Sequence, residues 1–247
     1  MASISGSIFP SPPAPHPPAL ITPSGSSPVF PNQSVVLGAH DTVYGADHDT
    51  IIGARDNSII GARDDSIIGA SHDTIWGSAH DSIAGGPHDT IVGSAHDVIT
   101  GGPHDAIKGG EYDTITGGPH DSIVGGKGDS IVGAPQSQID IGRFDTIVAA
   151  AGDSIVGGKT PGFDTISVYG GHETVEGTPS NETVSGFDTV SGPGHDKIAF
   201  SGEDRASIHK VIATQEVKDG NTTLHLPDGS SITLVGVSHV DHSFFSH

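Results

Sequence analysis

The chain has 247 residues, 36 of them Gly and 17 Pro, with 33% hydrophobic and only 5% aromatic residues, so it lacks the large side chains that an ordinary globular core of this length would pack. Its formal net charge of −20, from 30 acids against 10 bases, argues against nucleic acid and anionic membrane as partners and for divalent cations. Cysteine is absent, which removes disulfide frameworks and thiolate metal sites.

Residues 1–36 are rich in Pro, Ser and Ala, as in Pro10-Ser11-Pro12-Pro13-Ala14-Pro15, and read as a disordered, solvated lead. They do not read as a secretory signal peptide: the first Lys or Arg is Arg55, and prolines interrupt any apolar stretch. No segment has transmembrane length.

From residue 37 an eight-residue phrase takes over, as in Gly85-Gly86-Pro87-His88-Asp89-Thr90-Ile91-Val92. Its aliphatic slot holds Val43, Ile51, Ile59, Ile67, Ile75, Ile83, Ile91, Ile99, Ile107, Ile115, Ile123 and Ile131, and the spacing persists through Ile139, Ile147 and Ile155. No helix has that period. Short strands separated by Gly-rich corners have it when the chain winds into a solenoid. Pro fills the third slot at Pro87, Pro103, Pro119 and Pro135, while Ala79, Ala95, Glu111 and Lys127 stand between them, so the true repeat is sixteen residues. The expected fold is all-β: a parallel β-solenoid, β-roll-like, with two short strands per coil over residues 37–200, regular to about 157 and irregular after. In residues 201–247 alternating apolar residues flank Pro227-Asp228-Gly229, which reads as a β-hairpin cap.

The chemistry lies in the corners. One slot holds Asp41, Asp49, Asp65, Asp73, Asp81, Asp89, Asp97, Asp105, Asp113, Asp121 and Asp129, with Asn57 the interruption. Coils stack ~4.8 Å apart, so carboxylates two units apart form columns in which a like-charge pair costs about 3 kcal/mol at an effective dielectric near 20. Calcium bridging successive coils would neutralise them; the simpler reading has each Asp cap its own turn. The preceding slot stacks His72, His88, His104 and His120 along one edge and His80 and His96 along the other, nitrogen ligands suited to Zn2+ or another transition metal, or a plain stacking column. Large apolar residues follow the first aliphatics, and Tyr44, Ile60 and Trp76 are expected to form a docking face. No enzyme is expected, since His-Asp-Ser neighbours recurring on a slender rod supply no pocket.

Phrases such as Gly117-Gly118-Pro119-His120-Asp121-Ser122-Ile123-Val124 resemble the glycine-rich calcium-binding repeat of RTX (repeats-in-toxin, hemolysin-type) proteins, in a shortened octapeptide variant that lacks the family's fourth-position Gly. The resemblance implies calcium held by Asp81, Asp89, Asp97, Asp105, Asp113, Asp121 and Asp129. It also implies a bacterial protein exported by type I secretion through a C-terminal signal within 201–247. The expectation is a secreted, non-enzymatic, calcium-binding rod, structural or adhesive, in contact with a cell surface or matrix. A self-assembling homo-oligomer, filament or surface-layer subunit and a His-based transition-metal binder are the alternatives.

Overall fold

The structure is a computed structural model and describes residues 27–28, 31–157, 162–177, 181–187, 196–200 and 205–245. Each eight-residue unit forms one three-residue strand, as in Thr90–Val92 and Val98–Thr100, with the middle aliphatic turned inward and its neighbours outward. Successive units alternate between two parallel sheets. The first runs from Ser27–Pro28 through Thr42–Tyr44 and Ser58–Ile60 to Lys197–Phe200, the second from Ser34–Val36 through Thr50–Ile52 to Asn181–Ser185. The register puts like on like: Ile83 pairs with Ile99 and Ile99 with Ile115, one coil being 16 residues.

Every aliphatic from Ile51 to Ile131 in that slot is at most 2% exposed, so the core is the double file of β-branched side chains between the sheets. Each contributes about 1.5–3 kcal/mol by burial. The corner glycines let this file close: a Cβ on Gly85 would come within 2.7 Å of Ile91 Cδ1 and 3.0 Å of Asp89 Oδ2.

Two boundaries differ from the sequence reading. The solenoid begins before residue 37, because Val35 is buried in the aliphatic slot and Ser34–Val36 pairs with Thr50–Ile52. Phase was available there in Gln33-Ser34-Val35-Val36, hidden by the missing corner glycine. The rest of the expected lead, apart from Ser27–Pro28 and residues 31–33, lies outside the described residues. At the other end the cap is not purely β: Arg205–Ala213 is a helix that buries Ile208 and Val211.

The expected hairpin is present. Asn221–His225 and Ser231–Leu234 pair antiparallel, and Ser231–Leu234 also joins Asn181–Ser185 in parallel, so the hairpin prolongs the second sheet. The first sheet is closed by Phe245, 2% exposed and bridged to Ile198, while Phe244 stacks on Phe187 at 6.0 Å between ring centres. The irregular region between stack and cap lengthens its coils, to 19 residues between Asp145 and Asp164 and 23 between Glu173 and Asp196. No helix among the described residues is long and apolar enough to cross a membrane.

Candidate functional site

The corner Gly85 to Asp89 shows what the phrase builds. The Gly85 N–H donates to Thr100 O of the next coil at 2.8 Å, Gly86 N–H to Asp89 Oδ2 at 2.6 Å, His88 N–H to Pro103 O at 3.1 Å, and Asp89 N–H to Asp105 Oδ1 at 2.8 Å. Pro87 brings no N–H and falls at the one position left over. All the corner's donors are thereby spent, as buried backbone requires.

The Asp side chain is the piece that makes this work, and it acts in two directions. Oδ2 closes its own corner by accepting the N–H three residues back, and Oδ1 accepts the N–H of the corresponding Asp one coil earlier. The pattern recurs at Asp65, Asp73, Asp81, Asp97, Asp105, Asp113 and Asp129 with distances between 2.5 and 2.9 Å. Asp49 makes the same two bonds, to Gln33 N–H and Ala46 N–H, and Asp121 accepts from Asp105 and Gly118. Asp49 and Asp65 through Asp129 are 1–2% exposed, while Asp41, half-buried at the first coil, caps Gly38 N–H at 2.7 Å. Hydrogen bonds to a charged acceptor are worth about 1.5–3 kcal/mol each, so the column is a seam between coils. Turn-capping was foreseen; the bond to the next coil was not.

This bears on calcium. A calcium cage takes six to eight oxygens, whereas here each carboxylate oxygen faces a peptide N–H. Among the described residues no three His, Asp or Glu side chains come together as a metal-binding group. The Asp column therefore fits hydrogen bonding better than a calcium cage. The repulsion within it is met by N–H dipoles and by protons: burial pushes Asp81 up to about 7 and Asp105 and Asp145 up to about 6, against the N–H bonds that pull each down. Burial likewise raises Asp65, Asp89, Asp97, Asp113 and Asp121. Glu173, fully buried in the irregular coils, is pushed up to about 8 by burial and by the Asp196 side chain beside it.

The two edges differ. The first, leading into the first sheet, carries Asp73, Asp89, Asp105 and Asp121 but breaks at Asn57 and Ser137. Asn57 Oδ1 still accepts from Asp41 N–H at 2.8 Å while Nδ2 donates to Ala54 O at 2.9 Å, and Ser137 Oγ accepts from Asp121 N–H at 3.2 Å. The second edge runs Asp49, Asp65, Asp81, Asp97, Asp113, Asp129, Asp145, Asp164 and Glu182 without a neutral residue.

The histidines occupy the one slot with left-handed backbone. From His40 to His120 they have φ between 60° and 69°, a region that costs a non-Gly residue roughly 1–2 kcal/mol. Asp56, Asp64, Tyr112, Gln136 and Phe144 hold the same conformation in the same slot, so the left-handed backbone belongs to the slot and not to the imidazole. The side chains form columns: His88, His104 and His120 stack at 5.0 and 4.8 Å along the first edge, with His72 tilted by 31° against His88 at 5.1 Å, and His80 stacks on His96 at 5.1 Å along the second. Tyr112 extends the second stack at 5.3 Å and then ends it, because Gly128 follows and a Cβ there would lie 2.7 Å from the Tyr112 ring. Rings stacked face to face, one coil apart, do not converge their nitrogens on one point. Between His and Asp neighbours in one unit, the imidazole is exposed and the carboxylate buried.

Tyr44, Ile60 and Trp76 do form one row, paired Tyr44 to Ile60 to Trp76 on the outside of the first sheet, with Tyr44 51% and Trp76 42% exposed and Ile60 half-buried. The opposite face carries a matching row of Val36, Ile52 and Ile68.

Compared with protein-family models, curated proteins and solved structures, the chain matches none.

Proposed function

We propose that the chain is a non-enzymatic structural rod whose coils are held by their own carboxylates. The observation that carries this reading is the pair of N–H bonds accepted by the corner Asp residues from Asp49 to Asp129: the carboxylates that could hold an ion are already used in closing their own corners and in joining coil to coil. The extracellular, structural or adhesive setting and type I secretion rest on the RTX resemblance. End-to-end filament growth is disfavoured at the C-terminal end, where the hairpin and Phe245 cover the last coil and the outermost strand, Glu216–Lys218, carries opposite charges on an exposed edge.

The test is far-UV circular dichroism and thermal unfolding of chelator-treated protein, with calcium and zinc added separately. The expected outcome is an unchanged β signal and unchanged Tm. A calcium-driven gain of β structure would instead establish the calcium-coupled rod that the resemblance implies, and a zinc-driven gain lost on replacing His88 and His104 would establish the transition-metal binder.

A further inference from the structure

The chain has few cations, and three of them surround one hollow. Lys108, Lys127 and Arg143, together with Glu111, line a trough of about 420 Å³ on the second edge, floored by Gly109, Gly110, Gly125, Gly126 and Gly142. Its floor is glycine because the coils close backbone on backbone there: a Cβ on Gly110, Gly126 or Gly142 would run into the carbonyl of the preceding coil. Lys127 and Arg143 occupy the same corner slot on adjacent coils and are bridged backbone to backbone, with Glu111 one coil before them. Lys108 and Arg143 are exposed, and Lys127 is half-buried over the Tyr112 ring at 5.2 Å. Among the described residues none of the three is ion-paired, although acids outnumber bases threefold in the chain.

The surroundings narrow what could sit there. The floor's N–H groups are committed, Gly109 to Val124 O, Gly125 to Asp140 O, and Gly110, Gly126 and Gly142 to Asp carboxylates, so recognition falls to the three cations. Two cations one coil apart match a ligand whose negative charges recur at ~4.8 Å along the rod. The floor is bare peptide, without side chains of its own. A nucleic acid needs a longer basic stripe, and here Glu111 and Asp140 flank the patch. The acids of the second edge lie directly beneath the floor, since Asp113, Asp129 and Asp145 accept from the Gly110, Gly126 and Gly142 N–H groups, so an anion in the trough has to be held by the three cations against them.

We propose that this trough binds a linear acidic polysaccharide carrying one carboxylate per sugar, with Lys127 and Arg143 each taking a carboxylate and Lys108 holding a third or a ring hydroxyl. The site goes beyond the structural-rod reading and does not depend on it or on calcium. A competing account is that the three cations merely offset the buried acids of the same edge. Both are separated by one experiment on the full chain: titration with trigalacturonate by calorimetry, alongside neutral maltotriose, inorganic phosphate and a short thymidine oligonucleotide, with Tm recorded for every variant. The expected result is trigalacturonate binding that weakens with salt, no maltotriose binding, and a loss of about tenfold or more, some 1.4 kcal/mol, in the double variant Lys127→Gln/Arg143→Gln. Lys108→Gln gives a smaller loss, and Lys210→Gln/Lys218→Gln on the cap gives none. Absence of trigalacturonate binding, binding unchanged in the double variant, or binding of only phosphate or oligonucleotide overturns the proposal. A fall in Tm without any ligand effect does so in favour of charge offset.

Discussion

The two edges of the rod are made from the same phrase and solve the same electrostatic problem differently. Both stack carboxylates coil upon coil. The first edge interrupts its column with Asn57 and Ser137, places Pro87, Pro103, Pro119 and Pro135 in the third slot, and is dressed with four stacked histidines. The second keeps its acids unbroken from Asp49 to Glu182 and carries Arg63, Lys127 and Arg143 in that third slot, where the first has Arg55. Neutral substitution dilutes the first column and the second is left intact with cations outside it, while burial raises carboxyls on both edges. What both edges must keep is the acceptor: Asn57 and Ser137 lose the charge yet still receive the N–H of the previous coil.

The largest effect should therefore come from removing the acceptor. Asp97→Leu strands the N–H groups of Asp81 and Ser94, and at about 1–3 kcal/mol per buried unsatisfied donor it should cost ~2–6 kcal/mol in urea unfolding. Asp97→Asn, which can copy Asn57, should cost much less. Equal losses would mean that charge, not hydrogen bonding, holds the seam.

Next comes pH. Asp81, Asp105, Asp145 and Glu173 bind their protons more tightly folded than unfolded, at about 7, about 6, about 6 and about 8. Their contribution is fully present below the unfolded carboxylate range near pH 4 and is lost as pH rises through about 6 to 8. Tm should climb as pH falls from about 8 to about 5, opposite to ordinary acid denaturation. A falling Tm over that window would show that the carboxylates are held as anions.

A sharper comparison removes the first edge's relief. Asn57→Asp should destabilise by ~1–3 kcal/mol at pH 8 and by far less at pH 5, where the added acid takes up a proton. The smallest effect belongs to the left-handed slot. His88→Gly should stay within about 0.5 kcal/mol, the relaxed backbone offsetting lost stacking, whereas His88→Val should cost ~1 kcal/mol or more because a β-branched residue tolerates positive φ poorly.

How far the chain could be read in advance follows from what repeats. The aliphatic slot, the sixteen-residue coil, the two sheets and the His columns were legible because identical residues at fixed spacing permit one winding. The role of Asp was legible only in part. A carboxylate beside glycines serves equally well as a cation ligand or as an N–H acceptor, and the choice depends on where the corner's amide groups point. That in turn depends on the left-handed backbone of His88 and its counterparts, which a His in a repeat does not announce. The helix Arg205–Ala213 was missed because Ile208 and Val211 are too few apolar positions to announce a helical period beside a strongly alternating hairpin. The trough was missed because Lys108, Lys127 and Arg143 are scattered in sequence and meet only through the coil.

The register also fixes how such a chain can change length. Partners lie two phrases apart, and each single phrase belongs to one sheet only. Loss or gain of one phrase would transfer every later strand to the opposite sheet and set the Pro-bearing corners on top of the Lys- and Arg-bearing ones. Loss or gain of two would leave each column in place and shift the rod's length by a single step. The heritable unit of this molecule is the pair, and an odd number of repeats is a change of pattern, whereas an even number is only a change of size.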